Sequence, residues 1–232
     1  MLKTRSSQAE LLDDFEVKGE DLNRNLEELE LVNKWLGGRP ILKKGIDLSL
    51  KKGFNFNKVV DLGCGGGDLL EYSHKLLKDK RENIEYLGYD LNKNVLDFAN
   101  DRVKGDSIKF IQQNAMAIDE FKTGNTLYLA TLFFHHFTET QIIEFLKSFK
   151  STQNSFLIIN DLHRHPLAYY SIKVLTQLFS SSKMVKNDAP LSVARAFKRT
   201  DWNHIFESAE LQPIHFSWEW AFRWLVIFKS DH

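Results

Sequence analysis

Apolar residues near the start of the chain recur at three- and four-residue steps, which is the spacing of an amphipathic helix. Over 9–36 this spacing predicts two helices, interrupted near Gly19. A further helix is predicted over 41–51, and Pro40 is expected to stop the preceding one. The sequence therefore predicts a helical cap over 1–53.

Beyond the cap, short apolar runs alternate with helical stretches. Five runs are predicted as strands, at 58–62, 84–89, 108–112, 126–132 and 156–160. Helices at 68–80, 92–103 and 138–150 separate them and indicate βαβ crossovers. The expected fold class is α/β, with a doubly wound, mostly parallel Rossmann-like sheet in a main domain that spans 54–232.

The stretch 161–199 interrupts this alternation. It contains a predicted helix at 166–179, a polar run at 180–188 and a second short helix that starts near Ser192. About 40 residues between a strand and the next helix is long for a plain connection. We therefore expect a helical lid insert over 161–199.

The C-terminal tail is aromatic and β-branched. After a predicted helix at 200–209, the runs 214–220 and 223–228 indicate an antiparallel strand pair that closes the sheet edge. Three tryptophans alternate along these runs as strand packing requires, so they are interpreted as structural: Trp218, Trp220 and Trp224.

Composition limits the partners of this domain. Among 232 residues, 31 Lys and Arg balance 31 Asp and Glu, so no general attraction to nucleic acid follows. One cysteine, Cys64, excludes an internal disulfide and a multi-thiolate zinc site. No segment supplies the ~18 apolar residues of a membrane helix, and 1–10 lacks a signal-peptide run. We expect a cytoplasmic protein without a membrane span.

A glycine-rich loop follows the first predicted strand and indicates a ligand site. Residues 61–68 read Asp-Leu-Gly-Cys-Gly-Gly-Gly-Asp, so Asp61 stands two residues before the first glycine. A carboxylate there would repel a pyrophosphate but suits an ammonium group. Asp90 ends the next strand, where it can accept both hydroxyls of an unphosphorylated ribose. An ammonium group, a ribose and no phosphate describe S-adenosylmethionine.

These residues resemble the class I S-adenosylmethionine-dependent methyltransferases, whose first motif is acid-x-Gly-x-Gly-x-Gly and whose second is an acid after strand two. The strand exit at 130–137, Ala-Thr-Leu-Phe-Phe-His-His-Phe, is similar to ubiquinone/menaquinone-type small-molecule methyltransferases. Segments 32–38, 160–170 and 188–197 resemble a bacterial group that often accompanies type III polyketide synthases. The resemblance implies a seven-stranded methyltransferase fold.

The resemblance also implies which residues hold the cofactor. They are Asp61, Gly63, Gly65, Gly67, Asp90, Leu91, Asn114, Ala115 and Leu132. Many family members place an acid after strand three, whereas this chain has an amide, so the adenine contact rests on the Asn114 side chain. Cys64 is interpreted as a small buried filler, because methyl transfer from a sulfonium needs no thiol.

Histidines at two strand ends are the candidate catalytic residues. His135 and His136 follow strand four, and His163 follows strand five, at the edge where open parallel sheets bind ligands. A histidine there can take a proton from a phenol or enol, with His136 the first candidate and His163 the second. Adjacent residues of an extended strand face opposite sides, so only one of His135 and His136 is expected to act. Packing and helix capping are the alternatives.

The histidine clusters also raise the question of a metal, with Asp161 as a candidate carboxylate ligand. The chain has neither His-x-x-x-His spacing nor a further acid cluster beside the histidines. No metal is therefore expected.

The predicted function is methylation of a small aromatic or polyketide-like acceptor, with O-methylation of a phenol or enol as the first choice. C-methylation of a quinone-like ring and a non-catalytic S-adenosylmethionine-binding module are the alternatives. The strand-four exit lacks the Asn/Asp-Pro-Pro-aromatic pattern of enzymes that modify nucleobases. We expect a small-molecule partner and no nucleic acid, and a homodimer is left open.

Overall fold

One seven-stranded sheet organises the protein, and the computed structural model describes residues 2–81, 83–120 and 122–230. The strands are β1 (Lys58–Leu62), β2 (Glu85–Asp90), β3 (Ile108–Gln112), β4 (Thr126–Thr131), β5 (Phe156–Leu162), β6 (His215–Glu219) and β7 (Arg223–Lys229). Their order is β3-β2-β1-β4-β5-β7-β6. The first five in this order are parallel, whereas β7 is antiparallel to β5 and β6. The predicted α/β class and the antiparallel C-terminal pair are confirmed.

Helices cover both faces of the sheet. They are α1 (Glu20–Trp35), α2 (Gly38–Lys51), α3 (Asp68–Leu77), α4 (Lys93–Arg102), α5 (Glu139–Lys150), α6 (Pro166–Phe179), α7 (Lys183–Arg195) and α8 (Arg199–Ala209). Helices α5 and α8 share one core with the sheet, and α2 and α3 share the other. Within the described residues, no helix is long and apolar enough to cross a bilayer.

Helix α2 packs directly on the sheet. A side-chain carbon added at Gly45 would lie 2.7 Å from Ile158 of β5, so only glycine allows this close approach. Pro40 lies in the first turn of α2 and does not stop a helix there, because its missing N–H needs no partner at that position. The division of the chain at residue 53 stays a prediction, and α2 lies within the core of the sheet.

The predicted helix before Gly19 is wrong, because the segment forms only a single 3-10 turn, Leu11–Asp13. The Asp188 carboxylate of α7 accepts the backbone N–H groups of Leu11 and Leu12 at 2.9 and 3.0 Å. These contacts from a distant helix satisfy the first donors of the turn and hold it against α7.

Helix α7 is longer than its sequence indicates. The predicted start near Ser192 is wrong, because the helix begins at Lys183 within the polar run 180–188, where the Ser182 hydroxyl accepts the Val185 N–H at 3.2 Å. Two of its buried positions carry charged residues, Asp188 and Arg195, so the apolar spacing of a helix is absent from this stretch.

Candidate active site

A cavity of about 610 Å³ lies at the edge of the sheet where β1, β2 and β4 end. The glycine loop, the turn Leu11–Asp13, helices α1, α6 and α7, and the connection between β6 and β7 all contribute to its lining. The volume is within the range of about 300 to 1,000 Å³ that is usual for small-molecule sites. All predicted cofactor residues except Gly67 line this cavity.

Positive φ angles shape the glycine loop. Gly63, Gly65 and Gly67 have φ angles of 66°, 51° and 75°, which residues with a side chain rarely adopt. A side-chain carbon at Gly63 would also overlap the Phe133 ring. Gly67 lies just before α3 and serves the turn, which explains why it does not line the cavity.

Asp90 holds the start of the loop that follows β2 in place. Its carboxylate accepts the backbone N–H groups of Asn92 at 2.9 Å and Gly65 at 3.3 Å, so it ties the glycine loop to the end of β2. Burial raises the pKa of the Asp90 carboxyl above its ordinary value. Leu91, the next residue, also lines the cavity.

Three carboxylates meet at the glycine-loop end of the cavity: Asp61 and Asp68, which are buried, and Asp90, which is half-buried. Burial, followed by the charges of the other two, raises the pKa of Asp61 well above its ordinary value. Burial and the Glu30 charge raise the pKa of Asp68 to about 6, although the Asn33 amide donates to it at 3.3 Å. Among the residues that the structure describes, no cationic side chain forms an ion pair with any of the three. This end of the cavity therefore favours a cationic ligand.

Asn114 and Ala115 follow β3, whereas Leu132, predicted as the last residue of a strand, follows β4; all three line the cavity. The Asn114 side-chain oxygen accepts the Met116 N–H at 3.0 Å, which orients the amide group. Leu132 has a φ of 53° and donates its N–H to the Asn160 carbonyl at 3.0 Å, so the chain leaves the sheet there.

The other end of the cavity holds two adjacent histidines. His135 and His136 belong to a 3-10 turn, Phe134–His136, and not to an extended strand, so both line the cavity. The expectation that only one of them could face it is therefore wrong. His135 Nδ1 lies 2.8 Å from Asp161 Oδ1, and His136 Nδ1 lies 2.8 Å from Asp13 Oδ1.

These ion pairs keep two carboxylates charged. Burial alone would raise the pKa of Asp161, but the charge and hydrogen bond of His135 hold it below its ordinary value. Burial acts likewise on Asp13, and the hydrogen bond and charge of His136 hold its pKa well below the usual range. Both carboxylates therefore stay ionised and fix the histidine rings.

Two further residues complete this end of the cavity. Arg195 of α7 donates to Asp13 at 2.7 Å and to the backbone carbonyls of His136 and His135 at 2.8 and 3.2 Å. Glu10 also lines the cavity, and burial, only partly offset by the charges of His136 and Arg195, raises its pKa to about 7.

His163 does not line the cavity, contrary to its prediction as the second catalytic candidate. Its ring packs 4.8 Å from the Trp224 ring and 5.4 Å from the His165 ring, measured between centroids. Burial lowers its pKa to about 4. The His165 ring accepts the Leu167 N–H at 3.2 Å and so caps α6, which is the helix-capping role that the sequence offered as an alternative.

The sequence interpretation did not identify Glu10, Asp13, Asp68 or Arg195 as site residues. Asp68 had a local signal, since it directly follows the glycines, whereas Asp13 is 123 residues away from His136 in the chain. Trp220 was interpreted as a packing residue, yet it lines the cavity from the connection between β6 and β7.

Residues 59–154 match a family model described as a methyltransferase domain. A comparison of the sequence with curated proteins gives no match. The structure is similar to human N-acetylserotonin methyltransferase in complex with S-adenosylmethionine, with a TM-score of 0.59 and 18% identity over 98% of this chain and 64% of that one. It is also similar to LepI in complex with S-adenosylmethionine, with a TM-score of 0.57 and 15% identity over 82% of this chain and 46% of that one.

A third similar structure is magnesium protoporphyrin IX methyltransferase from Synechocystis PCC 6803 with bound S-adenosylmethionine. Its TM-score is 0.54, with 13% identity over 84% of this chain and 80% of that one. The chain spans less than two thirds of the length of the first two structures. At such identities the likeness shows the fold, and the expected seven-stranded methyltransferase fold is confirmed.

Proposed function

We propose that this chain, which carries a methyltransferase domain over residues 59–154, transfers the methyl group of S-adenosylmethionine to a small-molecule acceptor. The observation that carries the proposal is the group of carboxylates beside the glycine loop, none of which forms an ion pair with a described cationic side chain. S-adenosylmethionine brings a sulfonium, an ammonium group and an unphosphorylated ribose, which match these carboxylates in charge and hydrogen bonding. The similar structures crystallised with this cofactor add support.

Each cofactor group has a candidate partner in the chain. Asp61 and Asp68 are proposed to attract the positive groups, because no cationic side chain of the described residues forms an ion pair with either buried carboxylate. Asp90 accepts from the ribose hydroxyls, and the Asn114 amide hydrogen-bonds adenine. Gly63 and Gly65 let the ligand approach the backbone.

The acceptor oxygen is proposed to lie at the histidine end of the cavity. His136 and His135 are its candidate contacts, and His163 is withdrawn because it does not line the cavity. The oxygen of a phenol or enol forms a bond to the methyl carbon as the sulfur–carbon bond breaks. The products are the methyl ether and S-adenosylhomocysteine, and one hydroxyl proton is released. Holding the reacting atoms about 3 Å apart supplies much of the rate increase.

An aromatic or polyketide-like acceptor suits the remaining lining of the cavity. Apolar side chains contribute from several elements, including Phe133, Phe137, Ile172, Leu175 and Trp220. Aromatic and aliphatic walls with few polar groups are typical of sites for planar organic molecules. The polar groups at the histidine end favour O-methylation over C-methylation, because they can bind a hydroxyl.

Helices α6 and α7 and the N-terminal turn are proposed to close over the acceptor. All three line the cavity, so their movement would open a path for a buried acceptor to enter and leave. Hydrogen exchange should therefore slow in 10–36 and 161–199 when cofactor and acceptor bind. Equal protection in the free and bound protein would contradict closure.

Labelled methyl transfer tests the proposed function. The protein is incubated with S-adenosylmethionine carrying a deuterated methyl group and a panel of phenols, enols and quinols. We expect release of S-adenosylhomocysteine together with a labelled product, whose NMR spectrum distinguishes an O-methyl from a C-methyl group. Cofactor binding without product from any acceptor class would favour the non-catalytic binding module.

A further inference from the structure

Three side chains at the histidine end form a group that the proposed methyl transfer does not by itself require. Glu10, His135 and His136 each offer one ligand atom, and these atoms lie within 4.8 Å of one another. The two histidine rings lie 4.3 Å apart between centroids at an angle of 35°. The 3-10 turn that carries the histidines brings neighbouring side chains to the same side, which an extended strand would not allow.

Both rings are held in the orientation that metal ligands adopt. Asp161 accepts from His135 Nδ1, and Asp13 accepts from His136 Nδ1, each at 2.8 Å. Since a carboxylate only accepts hydrogen bonds, each Nδ1 carries a proton, so Nε2 is the nitrogen left for a metal, which would displace any proton bound there. A carboxylate behind a histidine is the usual outer contact of a metal-binding imidazole, and this site has two.

Glu10 supplies a third ligand. It is 94% buried, and its Oε1 atom has no hydrogen-bond partner among the described residues. This oxygen lies 3.6 Å from His135 Nε2. Two ligands of one tetrahedral zinc ion, each about 2.1 Å from the metal, are about 3.4 Å apart, so a single cation fits between these atoms.

The nearest cationic side chain is already engaged. Arg195 Nε lies 3.8 Å from Glu10 Oε1, beyond hydrogen-bond distance. The same guanidinium donates to Asp13 and to the carbonyls of His135 and His136, so it holds the outer carboxylate and the histidine turn. It leaves the Glu10 oxygen without a donor, which is the arrangement that a bound cation would complete.

We propose that Glu10, His135 and His136 form a binding site for one divalent transition-metal ion. Two imidazoles and one carboxylate are a known ligand set for such ions, with positions left open for other ligands. All three residues line the cavity, so an oxygen of the methyl acceptor can occupy an open position. This use of the metal rests on the proposed function, whereas metal binding itself does not.

Metal titration of the full-length protein tests the site. After dialysis against a chelator, Zn²⁺ binding is measured by calorimetry, and Co²⁺ is added in parallel because its visible spectrum reports the ligand geometry. We expect one ion per chain in the wild type. Glu10→Gln and His136→Ala should each lose the site, and Asp161→Asn should weaken binding about 10- to 100-fold because it removes an outer contact.

His163→Ala is the matched control, since this histidine is outside the cavity and should leave Zn²⁺ binding unchanged. Circular dichroism and melting temperatures show whether each variant is folded. No binding to the wild type would overturn the site, as would equal binding to Glu10→Gln and wild type, which would mark an adventitious ion only. S-adenosylmethionine binding and methyl transfer are measured on the same samples, so activity that persists in metal-free protein refutes a role for the ion but keeps the methyltransferase.

Discussion

The two ends of the cavity hold their carboxylates in opposite ways. At the loop end, Asp61 and Asp68 are buried and form no ion pair with a described cationic side chain, and their pKa values are raised. At the histidine end, Asp13 and Asp161 accept hydrogen bonds from histidine side chains, and their pKa values are lowered. A cationic ligand at the loop end would therefore stabilise the charged form of these acids, whereas the carboxylates of the histidine end already orient the protein's own side chains.

The ends also differ in how the chain builds them. The loop end comes largely from one continuous segment, 61–68, together with the end of the neighbouring strand β2. The histidine end joins the N-terminal turn, the exit of β4, the end of β5 and helix α7. If this contrast is correct, substitutions at the two ends should separate cofactor binding from turnover.

The largest expected effect is at the histidine end. His136→Ala should lower kcat/KM for the acceptor at least ~10²-fold, because a positioned polar group at the reacting atom is removed. The affinity for S-adenosylmethionine should stay unchanged, as measured by calorimetry. His163→Ala serves as the control and should keep wild-type kinetics. A large loss of cofactor affinity in His136→Ala would show that the two ends are not separate.

At the loop end, Asp90→Ala should weaken S-adenosylmethionine binding. Loss of a charged acceptor for the ribose hydroxyls should cost ~1.5 to 3 kcal/mol, or roughly 10- to 150-fold in affinity. Calorimetry measures the change. Asp97→Ala is the control, because this aspartate is exposed and pairs with Lys93 on the surface of α4. Unchanged affinity in Asp90→Ala would refute the ribose assignment.

Asp188 tests whether α7 holds the N-terminal turn in place. Asp188→Ala leaves the N–H groups of Leu11 and Leu12 without their acceptor, which should lower the free energy of unfolding by about 1 to 3 kcal/mol. Exchange of these two amides should become faster, and turnover should fall while cofactor affinity is kept. Asp188→Asn retains one acceptor oxygen and should lose less. Unaltered exchange at both amides would contradict the role of Asp188.

The smallest expected effect is the pH dependence of cofactor binding. Asp68 in the free protein has a pKa of about 6, and a cationic ligand favours its ionised form. The contribution of Asp68 to the affinity should therefore be complete well above pH 6 and be lost as the pH falls through 6, by at most about tenfold per pH unit. Asp61 and Asp90, with raised pKa values, act in the same direction. Calorimetry across this range should show a flatter curve for Asp68→Asn, and an equally steep curve would exclude Asp68.

The alternating strands and helices of the main domain could be predicted because their periods are local. Buried parallel strands are short continuous apolar runs, and the helices between them keep a spacing of three and four residues. The predictions were wrong where contacts with residues distant in sequence determine the backbone conformation. Asp188 holds the segment before Gly19 as a single turn. Asp188 and Arg195 are themselves buried charged residues, so the apolar spacing that would predict helix α7 is interrupted.

Local sequence specifies the loop end of the site, because Asp61 and Asp90 lie at the ends of two strands that pair side by side and the glycines directly follow the first of them. Tertiary structure alone decided the histidine end. Asp13 and Glu10 contact the histidines only because helix α7 holds the N-terminal turn in place. This turn is far from β4 in sequence. Local sequence patterns cannot predict such contacts, because the partners meet only when the sheet and α7 have assembled. Folding therefore brings both histidines into the cavity and leaves His163 outside it.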